Sequence, residues 1–271
     1  MLALIGEVGF VNDSVKPIDW IKHHFNFKGR PVYEVVRLIN SVPLFLDDHL
    51  ERLAQSSRIV GLDFKVEKSH IEKRIQVLVK ECTRSNGNLK IIFGSLESVG
   101  ESLLIVFIPF YFPSTEQYQN GVPVTLLHME RPNPNAKLVK EKPVELSNLI
   151  DYESGYYEVL IVNSKGFVTE GSRSNVFFIK DSVFFTSPTE NVLPGITRKK
   201  ILGLMEKRGL EVKFQLIHKD RLSDYQSLFL TGTSPGVLPV KSVNGNSYDV
   251  HHPYLLEIMA EYRKVVDDSC V

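Results

Sequence analysis

The chain predicts an α+β fold in two domains, and three observations carry that expectation. The first hundred residues mix short β-branched runs with two amphipathic helical stretches. A proline-bounded aromatic segment, Pro109-Phe110-Tyr111-Phe112-Pro113, then breaks the pattern. Beyond it the chain is rich in strand-like runs with only a few helical stretches between them. Such an order suits helices packed on sheets in separate layers. The expected boundaries are a smaller N-terminal α/β domain over 1–112, a connection over 113–121 and a larger C-terminal domain over 122–271.

The apolar opening Met1-Leu2-Ala3-Leu4-Ile5-Gly6 lacks a basic leader and meets Glu7 at once, so it reads as a strand. Residues 31–39 are β-branched and partly alternating, and Asn40-Ser41 separates them from Pro43-Leu44-Phe45-Leu46, which predicts a hairpin. Asp48 with Glu51 three residues on forms a capping-box pattern for a helix from His49 to about Val60, ended by Gly61. Its buried stripe would be Leu50, Leu53, Ala54 and Val60. A second helix over about 69–82 would bury Ile71, Ile75, Val77 and Leu78. Strands follow at 89–93, 103–108, 122–127, 158–162, 175–179, 183–186 and 227–231, with helices near 147–154, 197–208 and 253–266.

Composition narrows the function classes. Lys+Arg and Asp+Glu both number 32, so the net charge of zero gives no basic surplus for nucleic acid. No apolar run approaches the ~20 residues that span a bilayer. The two cysteines, Cys82 and Cys270, build neither a disulfide framework nor a metal cluster, which fits a reducing cytoplasm.

The richest stretch is Val168-Thr169-Glu170-Gly171-Ser172-Arg173-Ser174-Asn175-Val176-Phe177-Phe178, read as a carboxylate on a tight polar turn between two strands. A carboxylate beside a ring nitrogen favours the protonated ring, because an opposite charge stabilises the cation. Leu193-Pro194-Gly195-Ile196-Thr197-Arg198 opens a helix, whose unpaired N–H groups and the Thr197 hydroxyl can hold a phosphate. Thr231-Gly232-Thr233-Ser234-Pro235-Gly236 can add a backbone nest. A solvent-facing turn or an ordinary helix start would use the same residues singly. Together they point to a phosphorylated heteroaromatic cofactor, pyridoxal 5'-phosphate (PLP).

In that order the motifs resemble the signature of the class IV aminotransferases, the fold-type IV PLP enzymes. These include branched-chain and D-amino acid aminotransferases and aminodeoxychorismate lyases. The similarity extends upstream through Val32-Tyr33-Glu34-Val35-Val36-Arg37 and Leu46-Asp47-Asp48-His49-Leu50-Glu51-Arg52-Leu53, and spans about 33–240. It implies a two-domain, D-amino acid aminotransferase-like fold, whose C-terminal domain binds PLP. Glu170 would pair with the pyridine nitrogen. Arg52, Ile196, Thr197 and Thr233 would hold the phosphate, and Tyr33 would lie on the substrate side. Helical periodicity alone makes Arg52 a solvated arginine, since it lies opposite Leu50, Leu53 and Ala54.

The chemistry also needs an amine that binds the cofactor and then moves the Cα proton. Counting back without a gap from Tyr157-Glu158 places Lys137 at the family's lysine, preceded by Pro-Asn-Ala. The family's asparagine three residues later is Lys140 here, so Lys140 stands as a rival, with Lys142 in the same basic run. The arginine that some relatives carry after a strand like Lys90-Ile91-Ile92-Phe93 is replaced by Gly94-Ser95-Leu96-Glu97, which leaves Arg37, Arg131 or Arg173 for a substrate carboxylate. The implied activity is amino transfer between a small, branched-chain-like amino acid and a 2-keto acid. Pyruvate elimination by an aminodeoxychorismate lyase, and a non-catalytic PLP-fold binding protein, are the alternatives. The resemblance further implies a homodimer, while the absence of a metal and the cytoplasmic setting are expectations from the cysteines.

Overall fold

The computed structural model describes residues 4–24, 26–96, 100–139, 146, 149 and 155–270. The chain divides into two compact units. One comprises Met1–Tyr111, Ala136–Lys140 and Val266–Val271, and the other Phe112–Asn135 and Glu141–Val265. The expected helix near 147–154 lies outside the described residues apart from Leu149, and so do Lys140 and Lys142.

The first unit is built on a six-stranded antiparallel sheet. Its strands are β1 (Ile5–Val11), β2 (Ser14–Pro17), β3 (Phe27–Ile39), β4 (Val42–Pro43), β5 (Gly87–Leu96) and β6 (Gly100–Ile108), in the order β2-β1-β6-β5-β3-β4. The β3–β4 hairpin pairs Ile39 with Val42, leaving a two-residue loop in which Asn40 and Ser41 both have positive φ, 47° and 70°. That is the loop whose twist matches the strands it joins. Alternation along β3 sends Val32, Val36 and Leu38 to one face, where they meet Leu50, Leu53, Ile71, Ile75 and Leu78. The opposite face packs Ile92, Leu104, Val106 and Tyr33 with Ile18 and Ile21 of a short helix, α1 (Ile18–His24).

Helix α2 spans Leu46–Ile59 and α3 spans Lys68–Glu81. The capping box expected at Asp48 is not formed. The helix starts three residues earlier, at Leu46, behind an N-cap Phe45 that takes a left-handed conformation and offers no side-chain cap. Asp47 and Asp48 instead lie in the first turn, where negative charge complements the helix dipole. Along α3 the buried stripe is Ile71, Ile75 and Leu78, while Val77 is an exposed hydrophobic residue because it lies off that i, i+4, i+7 line.

The second unit holds β7 (Val122–His128), β8 (Glu158–Val162), β9 (Phe167–Gly171), β10 (Asn175–Lys180), β11 (Val183–Thr186), β12 (Val212–Phe214), β13 (Ile217–His218), β14 (Ser227–Gly232), β15 (Gly236–Val243) and β16 (Asn246–Ser247). They form one ten-stranded sheet, β12-β11-β10-β14-β15-β7-β8-β9-β13, with β16 on β15. Its helices are α4 (Thr115–Asn120), α5 (Ile196–Lys207) and α6 (Pro253–Asp268), the last running on into residues of the first unit. Helix α4 stands within the stretch expected as a connection. Ser114 and Gln117 close a reciprocal capping box there, and Tyr118 packs on the second unit's core.

Strands β7 and β8 run parallel, in register from Val124↔Glu158 to His128↔Val162. Parallel neighbours cannot be joined by a tight turn, so the chain needs a long crossover between His128 and Glu158. Residues 137–139, on this crossover, add a short bridge beside β3. Leu138 faces Val32, the Tyr33 N–H donates to the Lys137 carbonyl at 2.9 Å, and the Val139 N–H donates to the Pro31 carbonyl at 2.9 Å.

Candidate active site

In the first unit the expected site residues fall on both faces of β3. Tyr33 and Glu34 are consecutive, so their side chains point oppositely. On the Tyr33 face two lysines approach one ring, with Lys90 Nζ 4.5 Å and Lys137 Nζ 5.1 Å from its centroid. The Lys137 backbone is held by Tyr33 and by the Ser56 hydroxyl, which accepts its N–H at 3.2 Å.

On the other face Glu34 is fully buried under α2. Arg52 Nε donates to its Oε1 at 2.8 Å, Arg52 Nη2 donates to Oε2 at 2.6 Å, and His49 Nδ1 meets Oε2 at 2.7 Å. Burial alone would push the Glu34 carboxyl up. The charge and hydrogen bonds of Arg52, joined by His49, overcome this and hold it at about 2. Burial is also the main reason that His49 is pushed below its usual value of 6.5, with Arg52 and Lys137 adding to the effect against Glu34. The solvated Arg52 of the periodicity reading is therefore overturned: it is 6% exposed. Its helix position is compensated by a carboxylate that β3 supplies from beneath, 18 residues away in sequence.

In the second unit Glu170 lies on strand β9, not on the turn, and is 2% exposed. Its Oε1 accepts from Arg131 Nη1 at 2.5 Å, while Oε2 accepts from the Leu193 N–H at 3.1 Å and Asn175 Nδ2 at 3.4 Å. Arg131 Nη2 also donates to the Ser172 carbonyl at 3.3 Å. The turn after Glu170 is organised by Glu158, the buried first residue of β8. It accepts from the Ser172 hydroxyl at 2.6 Å, the Ser174 hydroxyl at 3.0 Å and the Arg173 N–H at 3.3 Å. A lone glutamate heading an apolar strand was the signal for this residue, and nothing in the local pattern said what it would hold.

Asn175 links that turn to the helix start. Its Nδ2 donates to the Leu193 carbonyl at 2.9 Å, and its Oδ1 lies where a side chain on Gly195 would have to go. Gly195 therefore has to be glycine for the chain to enter α5 this close to β10. Across the sheet Asn175 pairs with Thr231, whose Oγ1 is buried without a hydrogen-bond partner. Helix α5 packs on β14 and presents Ile196 and Thr197, 5% and 3% exposed, in its first turn. The Thr197 hydroxyl is 3.4 Å from the Tyr262 hydroxyl. Thr233 is half-buried on the three-residue loop between β14 and β15. A side-chain-free entry, uncapped first-turn N–H groups and an orphaned buried hydroxyl make this a suitable seat for an anion.

Of the arginines considered for a substrate carboxylate, Arg131 is engaged by Glu170. Arg173 donates to the Tyr157 carbonyl at 3.0 Å and stacks on the Tyr157 ring, and Arg37 lies half-buried on β3. Among the described residues no group of three or more His, Cys, Asp or Glu side chains could hold a metal ion. No helix among them is long and apolar enough to cross a membrane.

Residues 31–243 match the amino-transferase class IV family. The chain is 30% identical over 237 residues to the D-alanine aminotransferase of Bacillus licheniformis, covering 81% of each protein. Its fold resembles the branched-chain amino acid aminotransferase of Escherichia coli, with a TM-score of 0.83, 22% identity and 97% and 95% of the two chains covered. It also resembles a second branched-chain amino acid aminotransferase, from T.th., solved with pyridoxamine 5'-phosphate, with a TM-score of 0.80, 19% identity and the same coverage. With its fold, its motif order and a match across most of its length in agreement, the chain is a member of the class IV aminotransferases.

Proposed function

We propose that this protein is a PLP-dependent aminotransferase that moves an amino group between a small, branched-chain-like amino acid and a 2-keto acid. The observation that carries the reading is the second-unit cluster, where a buried carboxylate on β9 and a bare helix start on α5 are tied together by Asn175. When bound, PLP supplies an electron sink for the pair released at the substrate Cα. Glu170 would hold a proton on the ring nitrogen, and the first turn of α5 with Thr197 and Thr233 would bind the phosphate. By resemblance to the family, Arg52 would add a guanidinium to the phosphate, and Lys137 would supply the amine that takes the Cα proton and returns it. Tyr33, already beside the Lys137 ammonium, orients that amine.

Membership of the family supports a homodimer, and the two free thiols, Cys82 and Cys270, suit a cytoplasmic setting. Borohydride reduction of the PLP-loaded protein followed by peptide mapping tests the assignment. The pyridoxyl group should be found on Lys137, and its recovery on Lys140 or Lys142 would overturn that role. Adding candidate amino acids to the loaded protein should release the matching 2-keto acid and leave pyridoxamine phosphate. Release of pyruvate from aminodeoxychorismate would instead make the protein a lyase.

A further inference from the structure

The Glu170 carboxylate is already crowded with positive partners before any ligand is considered. Arg131 reaches it from the chain after β7, with Nη1 2.5 Å from Oε1. Arg198 of α5 is 3% exposed and donates Nη2 to the Ser187 carbonyl at 2.8 Å; burial pulls its pKa down, and the negative charges of Glu170 and Glu190 act against that. Asn175 from β10 and the Leu193 N–H also donate to the Glu170 carboxylate. Arg198 is buried and tied to backbone, so it is a fixed background charge. Arg131 is different: its side chain is 31% exposed, and its second nitrogen is anchored on Ser172, next but one to Glu170.

We propose that Arg131 is a positioning residue, which locks the Glu170 carboxylate in place and limits how strongly that carboxylate draws a proton onto the ring nitrogen. The inference rests on the cofactor reading above and deepens it. A carboxylate shared with a guanidinium has less negative charge to offer a second cation, and the guanidinium itself would repel a pyridinium held by the same carboxylate. The site would then hold its ring nitrogen protonated with less than the full pull of the Glu170 carboxylate. Arg131 is thereby assigned to the cofactor and withdrawn from the candidates for substrate carboxylate recognition.

The test uses the holoenzyme reconstituted with PLP labelled with ¹⁵N in the ring, whose nitrogen resonance reports the position of the proton directly. Arg131→Gln removes the charge, so the resonance should move towards the fully protonated value. Any titration of the ring nitrogen should rise by about one pH unit, the size expected when a nearby like charge is removed. Arg131→Lys keeps the charge and should stay near the parent. A merely structural role predicts that Gln and Lys disturb the resonance alike, and that outcome overturns the proposal. So does a resonance that is unchanged, or moved towards the unprotonated value, in Arg131→Gln. Should Arg131→Gln not accumulate folded, Arg131→Met carries the same expectation. A parent protein that binds no labelled PLP would refute the cofactor reading itself, which is a separate result.

Discussion

Glu34 and Glu170 are both buried glutamates on strands, each paired with an arginine, yet they are built for different ends. Glu34 is enclosed by Arg52 and His49, and all three are at most 6% exposed. Every strong partner it has is another buried side chain, so it exchanges nothing with solvent or ligand without breaking the cluster. Glu170 is almost as buried, but its arginine is 31% exposed, and it also accepts from a backbone N–H and a side-chain amide. The first arrangement ties α2 to the sheet. The second keeps a carboxylate charged and ordered while leaving its surroundings able to change. Burial of an acid therefore says little about its role, and the exposure of its partner says more.

The largest expected effect comes from breaking the enclosed pair. Glu34→Ala leaves the Arg52 charge buried and unpaired, which should cost about 3–5 kcal/mol in urea unfolding. Arg52→Ala should lose a comparable amount and, unlike Glu34→Ala, should also let PLP dialyse away at temperatures where the variant remains folded. If Arg52→Ala keeps PLP as firmly as the parent, Arg52 is a structural partner of Glu34 alone.

The next effect is on pH dependence, and its sign follows from two depressed values. Glu34 falls from 4.5 to about 2 on folding, so its contribution is complete above pH 4.5 and is lost as pH falls towards 2, roughly 3 kcal/mol in all. His49 is lowered from 6.5, so the unfolded chain takes up a proton that the folded one refuses, and stability begins to fall below about pH 6.5. Melting temperatures measured between pH 8 and 3 should decline in those two stages, and His49→Gln should remove the upper one. A flat profile between pH 6.5 and 3 would contradict the enclosed cluster.

The smallest effect on stability, though the more telling one, is at Glu170. Glu170→Gln should cost less in unfolding than Glu34→Ala, since glutamine keeps an acceptor for the Leu193 N–H and Arg131, 31% exposed, can turn to solvent. It should nevertheless lower turnover at least tenfold, about 1.4 kcal/mol on the barrier. Unchanged turnover with the chemical step limiting would remove Glu170 from the proposed mechanism. A large loss of stability would make the two clusters alike and defeat the comparison.

Local pattern was enough for much of the framework. Period-two and period-3.6 runs located β3, α3, β5, β6, β8, β10 and β14 to within a few residues, because side-chain alternation is a property of the chain itself. Where it failed, either a local backbone conformation or a non-local partner had decided. Helix α2 starts early because Phe45 turns left-handed, a conformation that the capping pattern at Asp48 does not encode. Strand β9 takes in Glu170 because β8 and β13 pair on either side of it.

By itself, then, the sequence determined the α+β class, the order of the motifs and the identity of the chemically capable residues, since these depend on residue type and spacing along the chain. Only the tertiary structure decided what those residues touch. Arg52 lies on what periodicity calls the wet face of its helix, and it is buried because Glu34 waits on β3 to neutralise it. Arg131 stood among possible substrate ligands, and it is the partner of Glu170 because the chain leaving β7, two strands from β9 in the sheet, brings its guanidinium to that carboxylate. A charge in a folded protein takes its role from the opposite charge that the fold brings within about 3 Å, and that neighbour is seldom near in sequence.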